Sequence, residues 1–248
     1  MDQELLKTSA KQRVIIAVIA VLMLGSIIAS SVAMIVANGN RKNESSLDPE
    51  TEALVAKYEN EYYAKSNAVA AASEGYFNDF VNYKSEIKAF NEVSANEGGV
   101  ETRDLKEGYG RTIGDDDTNY LAYYVGWCPN EDVFDSTFND KNNPTSFNKI
   151  LDPSIGLIEG WTLGVAGMKI GGIREITIPG ELAYGGSTEI CGGYNMPLKF
   201  MVMAVEKTSD LQKVSDELSL ASTKIQYAYY GLDYDTMMGG DESNEGTE

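Results

Sequence analysis

The sequence predicts an α+β protein whose central feature is an antiparallel β-sheet, and three observations predict it. From about Ile87 to Lys207, short alternating stretches such as Thr118 to Gly126 and Ile173 to Pro179 are separated by Gly, Asn and Asp clusters. That is the texture of strands joined by tight turns. On either side lie segments of helical period, Thr51 to about Ser73 and Asp210 to Tyr230. Ahead of them all, Val14 to Ala37 runs for 24 residues without a charge.

That first segment reads as a transmembrane helix. At about 1.5 Å per residue it reaches roughly 36 Å, enough to cross a hydrocarbon core of about 30 Å. It is apolar all round, which argues against a core helix with one polar face. Lys7, Lys11 and Arg13 precede it and Arg41 and Lys42 follow it. The bias places residues 1–13 in the cytoplasm and the rest of the chain outside it. Ser31-Val32-Ala33 is a small-residue site that leaves a cleaved signal peptide as the alternative, although the apolar run continues past it through Ile35 and Val36.

Residues 38–49 are polar and read as a linker. Asp48-Pro49 then starts a helix, with proline in the first turn. Leu54, Tyr58, Tyr62 and Val69 lie on or near one face, the alanines from Ala68 to Ala72 continue it, and Gly75 is expected to end it. This helix is either a spacer packed on the domain or a stalk that binds a partner. Tyr76 to Phe90 is aromatic-rich and takes no firm assignment. Leu211, Val214, Leu218 and Ile225 share a face of the C-terminal helix, 208–230. Residues 231–248 carry six acidic residues and no basic ones, the composition of a disordered tail.

Composition excludes several kinds of chemistry. The chain has no histidine and only two cysteines. The usual general base, the commonest zinc ligand and any Ser-His or Cys-His nucleophile are therefore missing. Net charge is −18. Beyond residue 43 the balance is 15 basic against 36 acidic residues, or −21. Nucleic acid and anionic lipid surfaces are repelled by such a chain. No cofactor or metal is expected.

The informative block is Tyr123 to Glu206. It contains YYVGW and VFDST, then LIEGWTLGVAGMKIGG, then REITIPGELAYGG with a closing PLKFMVMAVE. Tyr124, Phe134, Phe147, Trp161, Tyr184 and Phe200 stand near loops and strand ends. Any one of them could serve plain packing. Gly126, Gly160 and Gly164 mark places where backbone turns or is approached closely.

These pieces, in this order, resemble the FKBP-type peptidyl-prolyl cis-trans isomerase domain, and DLKEGYG from Asp104 to Gly110 resembles its opening strand and turn. The resemblance covers residues 86–207. It implies a twisted antiparallel sheet wrapped around one short helix, here near Gly160 to Gly167, with ligand between helix and sheet. By motif, Trp161 would floor a proline pocket walled by Tyr124, Phe134, Phe147 and Phe200. Leu157 and Ile158 would form a lip, the Ile158 N–H and the Tyr184 hydroxyl would donate to substrate carbonyls, and Asp135 would face the amide being twisted. The implied substrates are proline-containing polypeptides. An intact aromatic set favours an active isomerase acting on exported proteins. The alternatives are a weakly catalytic peptide-binding or chaperone module, and a structural protein assembled through its helices.

One stretch departs from the family's pattern. Between Tyr184 and Phe200 the family usually has an Ile-Pro pair over the pocket, whereas Gly192-Gly193 stand near that place here. This loop is expected to contribute less apolar contact. Cys128 and Cys191 flank the same region, and outside the cytoplasm they form a candidate disulfide. Closing a loop of that length stabilises by about 4 kcal/mol in the chain-entropy model. Two free thiols are the alternative.

Overall fold

The computed structural model describes residues 47–239. The expected span at 14–37 lies outside the described residues. Among those described, no helix is long and apolar enough to cross a membrane.

Helix α1, Pro49–Val81, starts where Asp48-Pro49 predicts. The Asp48 carboxylate accepts from the N–H groups of Glu50 and Thr51, each at 3.0 Å, and so satisfies two of the orphan donors of the first turn. The expected stop at Gly75 does not occur. A side chain there would meet open space, so Gly75 costs the helix only backbone entropy, about 1 kcal/mol relative to alanine. What carries the helix onward is the buried row Ser73, Phe77 and Phe80, one turn apart on one face.

The chain forms two compact units, residues 66–216 and, in its described part, 47–65 with 217–239. The first holds a five-stranded sheet in the order β1-β4-β5-β2-β3. The strands are β1 Glu101–Lys106, β2 Tyr120–Trp127, β3 Val133–Ser136, β4 Ile173–Ile178 and β5 Leu198–Glu206. Every pairing is antiparallel. The three inner strands are buried almost throughout, which is why YLAYYVGW and LKFMVMAVE lack the polar alternation of a half-solvated strand.

One face of the sheet packs on a short helix, α3, Glu159–Val165. Ile176, Ile178, Leu198, Phe200 and Val202 meet Trp161 and Val165 there. Two glycines let this helix lie directly on β4. A Cβ on Gly160 would stand 2.1 Å from Ile178 Cγ2, and one on Gly164 would stand 2.4 Å from Ile176 Cγ2. The opposite face carries Tyr123, whose ring stacks on Phe147 with centroids 4.1 Å apart. Its hydroxyl lies 2.6 Å from Ser73 Oγ in α1. A small helix, α2, Glu92–Glu97, precedes β1 and is capped by the Asn91 side chain.

The second unit has its own core of Val55, Tyr58, Ile225 and Ala228, contributed by α1 and by α4, Ser209–Tyr229. The expected disordered tail is ordered at its start. Residues Tyr234–Met238 form a helix, α5, because the Asp233 carboxylate caps it and accepts from the Tyr58 hydroxyl at 2.5 Å. Asp235 adds ion pairs to Lys57 at 3.0 Å and Lys224 at 2.9 Å.

Candidate active site

The site is built from neighbouring strands and the helix that lies on them. In the β2–β5 pairing, Gly126 stands opposite Phe200 and Tyr124 opposite Val202. Side chains alternate along a strand, so Tyr124 and Phe200 project from the helix-bearing face while Tyr123 and Met201 project from the other. Trp161 comes down from the first turn of α3. Its ring meets Phe200 edge-on at 5.3 Å and Tyr124 edge-on at 5.5 Å. Phe134, on β3, meets Phe200 edge-on at 5.6 Å. Four of the five sequence-predicted aromatics thus converge. Trp161 is held in place by its indole N–H, which donates to the Tyr120 hydroxyl at 3.1 Å.

Gly126 is the reason two of these rings fit. A Cβ there would lie 2.7 and 2.8 Å from Phe134 ring carbons and 2.9 Å from Phe200. No side chain can be added without separating the rings.

Phe147, the remaining expected wall, is elsewhere. It is fully buried on the opposite face, stacked between Tyr123 and Phe138, with Phe77 and Phe80 of α1 edge-on or tilted against it. An isolated bridge to Phe138 fixes its backbone on that side. Its environment is core packing, on the face of the sheet away from Trp161 and Phe200.

The rim carries the polar groups. Leu157 and Ile158 are half-buried against the ring cluster. Ile158 sits at the N-cap of α3 with extended φ and ψ of −60° and 145°. Its N–H precedes the helical ladder, and among the described residues nothing accepts from it. The approach to this lip is fixed by Asp152, which accepts from the Ser154 N–H at 3.0 Å and pairs with Lys207 at 2.9 Å. Tyr184 packs half-buried on the same cluster, and its hydroxyl likewise has no hydrogen-bond partner among the described residues. Burial, with the Asp135 charge behind it, pushes the Tyr184 phenol up from its ordinary value.

Asp135 is tightly held. One carboxylate oxygen accepts from the Tyr124 hydroxyl, and the other accepts from Lys149 Nζ at 3.1 Å and the Ser136 N–H at 2.8 Å. Burial and then the neighbouring Asp135 charge hold the Tyr124 phenol well above its ordinary value. Both cleft tyrosines are therefore neutral donors at physiological pH.

Sequence reasoning missed three contributors. Lys149 holds Asp135, yet it lies in no motif. Arg174 is buried on β4 and donates to the Gly164 and Ala166 carbonyls, each at 3.0 Å, at the end of α3. Its other nitrogens grip Asp104 at 2.6 and 3.1 Å. It thereby satisfies orphan carbonyls of the helix that carries Trp161. The third is Ile190. The loop after Tyr184 was expected to be poor in apolar contact, but Ile190 and Cys191 both pack half-buried against the core cluster that includes Trp161 and Phe200. Cys128 and Cys191 are joined as a disulfide, with Cα atoms 5.5 Å apart.

Against this geometry stand the comparisons with known proteins. A family model described as FKBP-type peptidyl-prolyl cis-trans isomerase matches residues 112–203. An FK506-binding protein of Neisseria meningitidis serogroup B is 36% identical over 112 residues, covering 44% of this chain and 94% of that protein. FK506-binding protein 4 of Neurospora crassa is 45% identical over 87 residues, which are 35% of this chain and 17% of that longer protein. Among solved structures, the crystal structure of AtFKBP13 has 30% sequence identity and a TM-score of 0.35, covering 49% of this chain and all of that one (100%). The match to nearly the full length of the Neisseria protein decides the assignment: this chain belongs to the FKBP-type peptidyl-prolyl cis-trans isomerase family.

Proposed function

We propose that this chain isomerises X–Pro bonds of exported or surface proteins, from a position at the membrane secured by residues 14–37, by favouring the twisted amide in the cleft of Tyr124, Phe134, Trp161 and Phe200. The observation that carries this reading is the convergence of those rings beside two donors that have no partner among the described residues, the Ile158 N–H and the Tyr184 hydroxyl.

The physical argument begins with the planar amide. Its resonance sets a rotation barrier of about 18–20 kcal/mol, which falls only modestly for proline. Rotation breaks the resonance and makes the amide less polar. An apolar cleft disfavours the polar planar form more than the twisted one, so it binds the transition state better than the ground state. The two rim donors would hold the flanking carbonyls while the bond turns. Asp135, fixed by Tyr124 and Lys149, would present its carboxylate at the edge of the cleft. No nucleophile or proton relay is involved, which suits a chain without histidine. The extracytoplasmic placement rests on the uncharged run from Val14 to Ala37 with the basic residues around it.

The test is cis-to-trans relaxation of a short X–Pro peptide with the full-length chain. Catalysis above the spontaneous rate is expected, and Asp135→Ala and Tyr124→Ala should each lower kcat/KM by about tenfold or more while circular dichroism stays native. Peptide binding without acceleration would instead identify a binding or chaperone module.

A further inference from the structure

The disulfide joins the β2–β3 hairpin to the loop after Tyr184. Cys128 lies just beyond β2, in the turn leading to β3, where its N–H donates to the Asp132 carbonyl at 2.9 Å. That hairpin carries Phe134 and Asp135. Cys191 lies in a tight turn of the loop after Tyr184. The Ile190 N–H donates to the Gly193 carbonyl at 2.8 Å, and the Gly193 N–H returns to Ile190 at 3.1 Å. Both central residues are left-handed, Cys191 at φ 57° and Gly192 at φ 80°. Glycine takes that conformation freely, but a residue with a Cβ takes it at a cost of about 1–2 kcal/mol. The bond to Cys128 ties this left-handed turn to the β2–β3 hairpin. Ile190, which opens this turn, packs half-buried against the core cluster to which Trp161 and Phe200 belong.

We infer that the Cys128–Cys191 bridge is a positioning device for substrate: it locks Ile190 into the rim of the cleft, so that affinity for a proline peptide depends on the bridge being closed. This rests on the isomerase reading of the cleft. The sulfurs themselves do no chemistry on the peptide. Opening the bridge takes two electrons and two protons from a dithiol such as dithiothreitol, which closes to its own cyclic disulfide and leaves two thiols on the protein. The chain has no other cysteine, so the reductant acts at this bond alone.

The experiment compares the full-length chain, oxidised and reduced, by the Kd of a fluorescent X–Pro peptide and by KM and kcat separately. Reduction should raise Kd and KM about fivefold or more and leave kcat within about twofold, with reoxidation restoring both, as expected for the loss of one aliphatic contact. Oxidised Ile190→Ala should show a similar rise, and reducing that variant should add little, because bridge and side chain act through one contact. Oxidised Ile190→Val should recover most of the affinity. Unchanged Kd on reduction, or an equal loss in wild type and Ile190→Ala, would overturn the inference. Should reduction unfold the chain, the oxidised Ile190→Ala variant decides: an unaltered Kd rejects the rim role. A chain that binds peptide in this bridge-dependent way yet shows no catalysis would remove the isomerase reading and leave the positioning role standing.

Discussion

Glu175→Ala is expected to cost about 3–5 kcal/mol of folding stability while leaving catalysis nearly unchanged at temperatures where the variant is folded. Glu175 on β4 and Lys199 on β5 are both 5% exposed, with Lys199 Nζ 2.5 Å from the carboxylate. Lys199 also donates to the Lys88 carbonyl at 2.8 Å and lies over the Phe90 ring at 5.2 Å, and Arg103 pairs with the same carboxylate. Removing the acid strands a buried ammonium, which is far worse than removing both charges. Glu175→Leu combined with Lys199→Met should therefore recover most of the loss, and urea unfolding measures both. Catalysis is spared because Glu175 and Lys199 alternate with Ile176 and Phe200 and face away from the cleft. Burial by itself raises the Glu175 carboxyl, but Lys199 and Arg103 outweigh it and hold it below its ordinary value of 4.5. A carboxyl lowered by folding contributes its stabilisation in full above the unfolded value and loses it as pH falls through the folded one. The pair should therefore weaken only in acid, below about pH 4.5.

Gly126→Ala should have the opposite signature. Its methyl group would sit within 3 Å of three ring carbons, two on Phe134 and one on Phe200. The rings must separate or the strands must shift. Overpacking of this kind costs about 1–3 kcal/mol, but the larger effect is on chemistry, where we expect kcat/KM to fall at least about tenfold. Gly99→Ala is the control, since a Cβ there meets nothing within 4 Å and should leave rate and stability unaltered. An unimpaired Gly126→Ala enzyme would mean that the Phe134–Phe200 contact does not shape the active cleft.

These two positions also mark what could be read from the sequence. Gly126 stands out there because a glycine inside an aromatic strand signals close approach, and Tyr124, Phe134, Trp161 and Phe200 stand out as an ordered set of motifs. The structure brings them together because alternation along β2 and β5 fixes which side chains share a face. Phe147 was misplaced for the complementary reason. It lies outside any strand, held by one isolated bridge to Phe138, so no period told which side it would take. The run of α1 beyond Gly75 was hidden because a lone glycine looks like a stop until Phe77 and Phe80 are known to be buried. Arg174 and Lys149 act through hydrogen bonds to groups 8 to 70 residues away in sequence, and no local pattern reveals such partners. At the loop after Tyr184, the adjacent glycines drew attention to missing bulk, while Ile190 just before them packs half-buried on the core.

Barrier lowering by a ring of aromatics, without movement of a proton, is the proposal most open to direct measurement. The direct measurement is kcat/KM for a proline peptide from about pH 6 to about pH 9. Both cleft phenols are raised above 10.0 and stay protonated throughout that range, and the chain has no histidine to titrate. Catalysis well above the spontaneous rate, constant within about twofold across that range, is expected. A rate that follows a single ionisation in that window, or none above the spontaneous one, would contradict it.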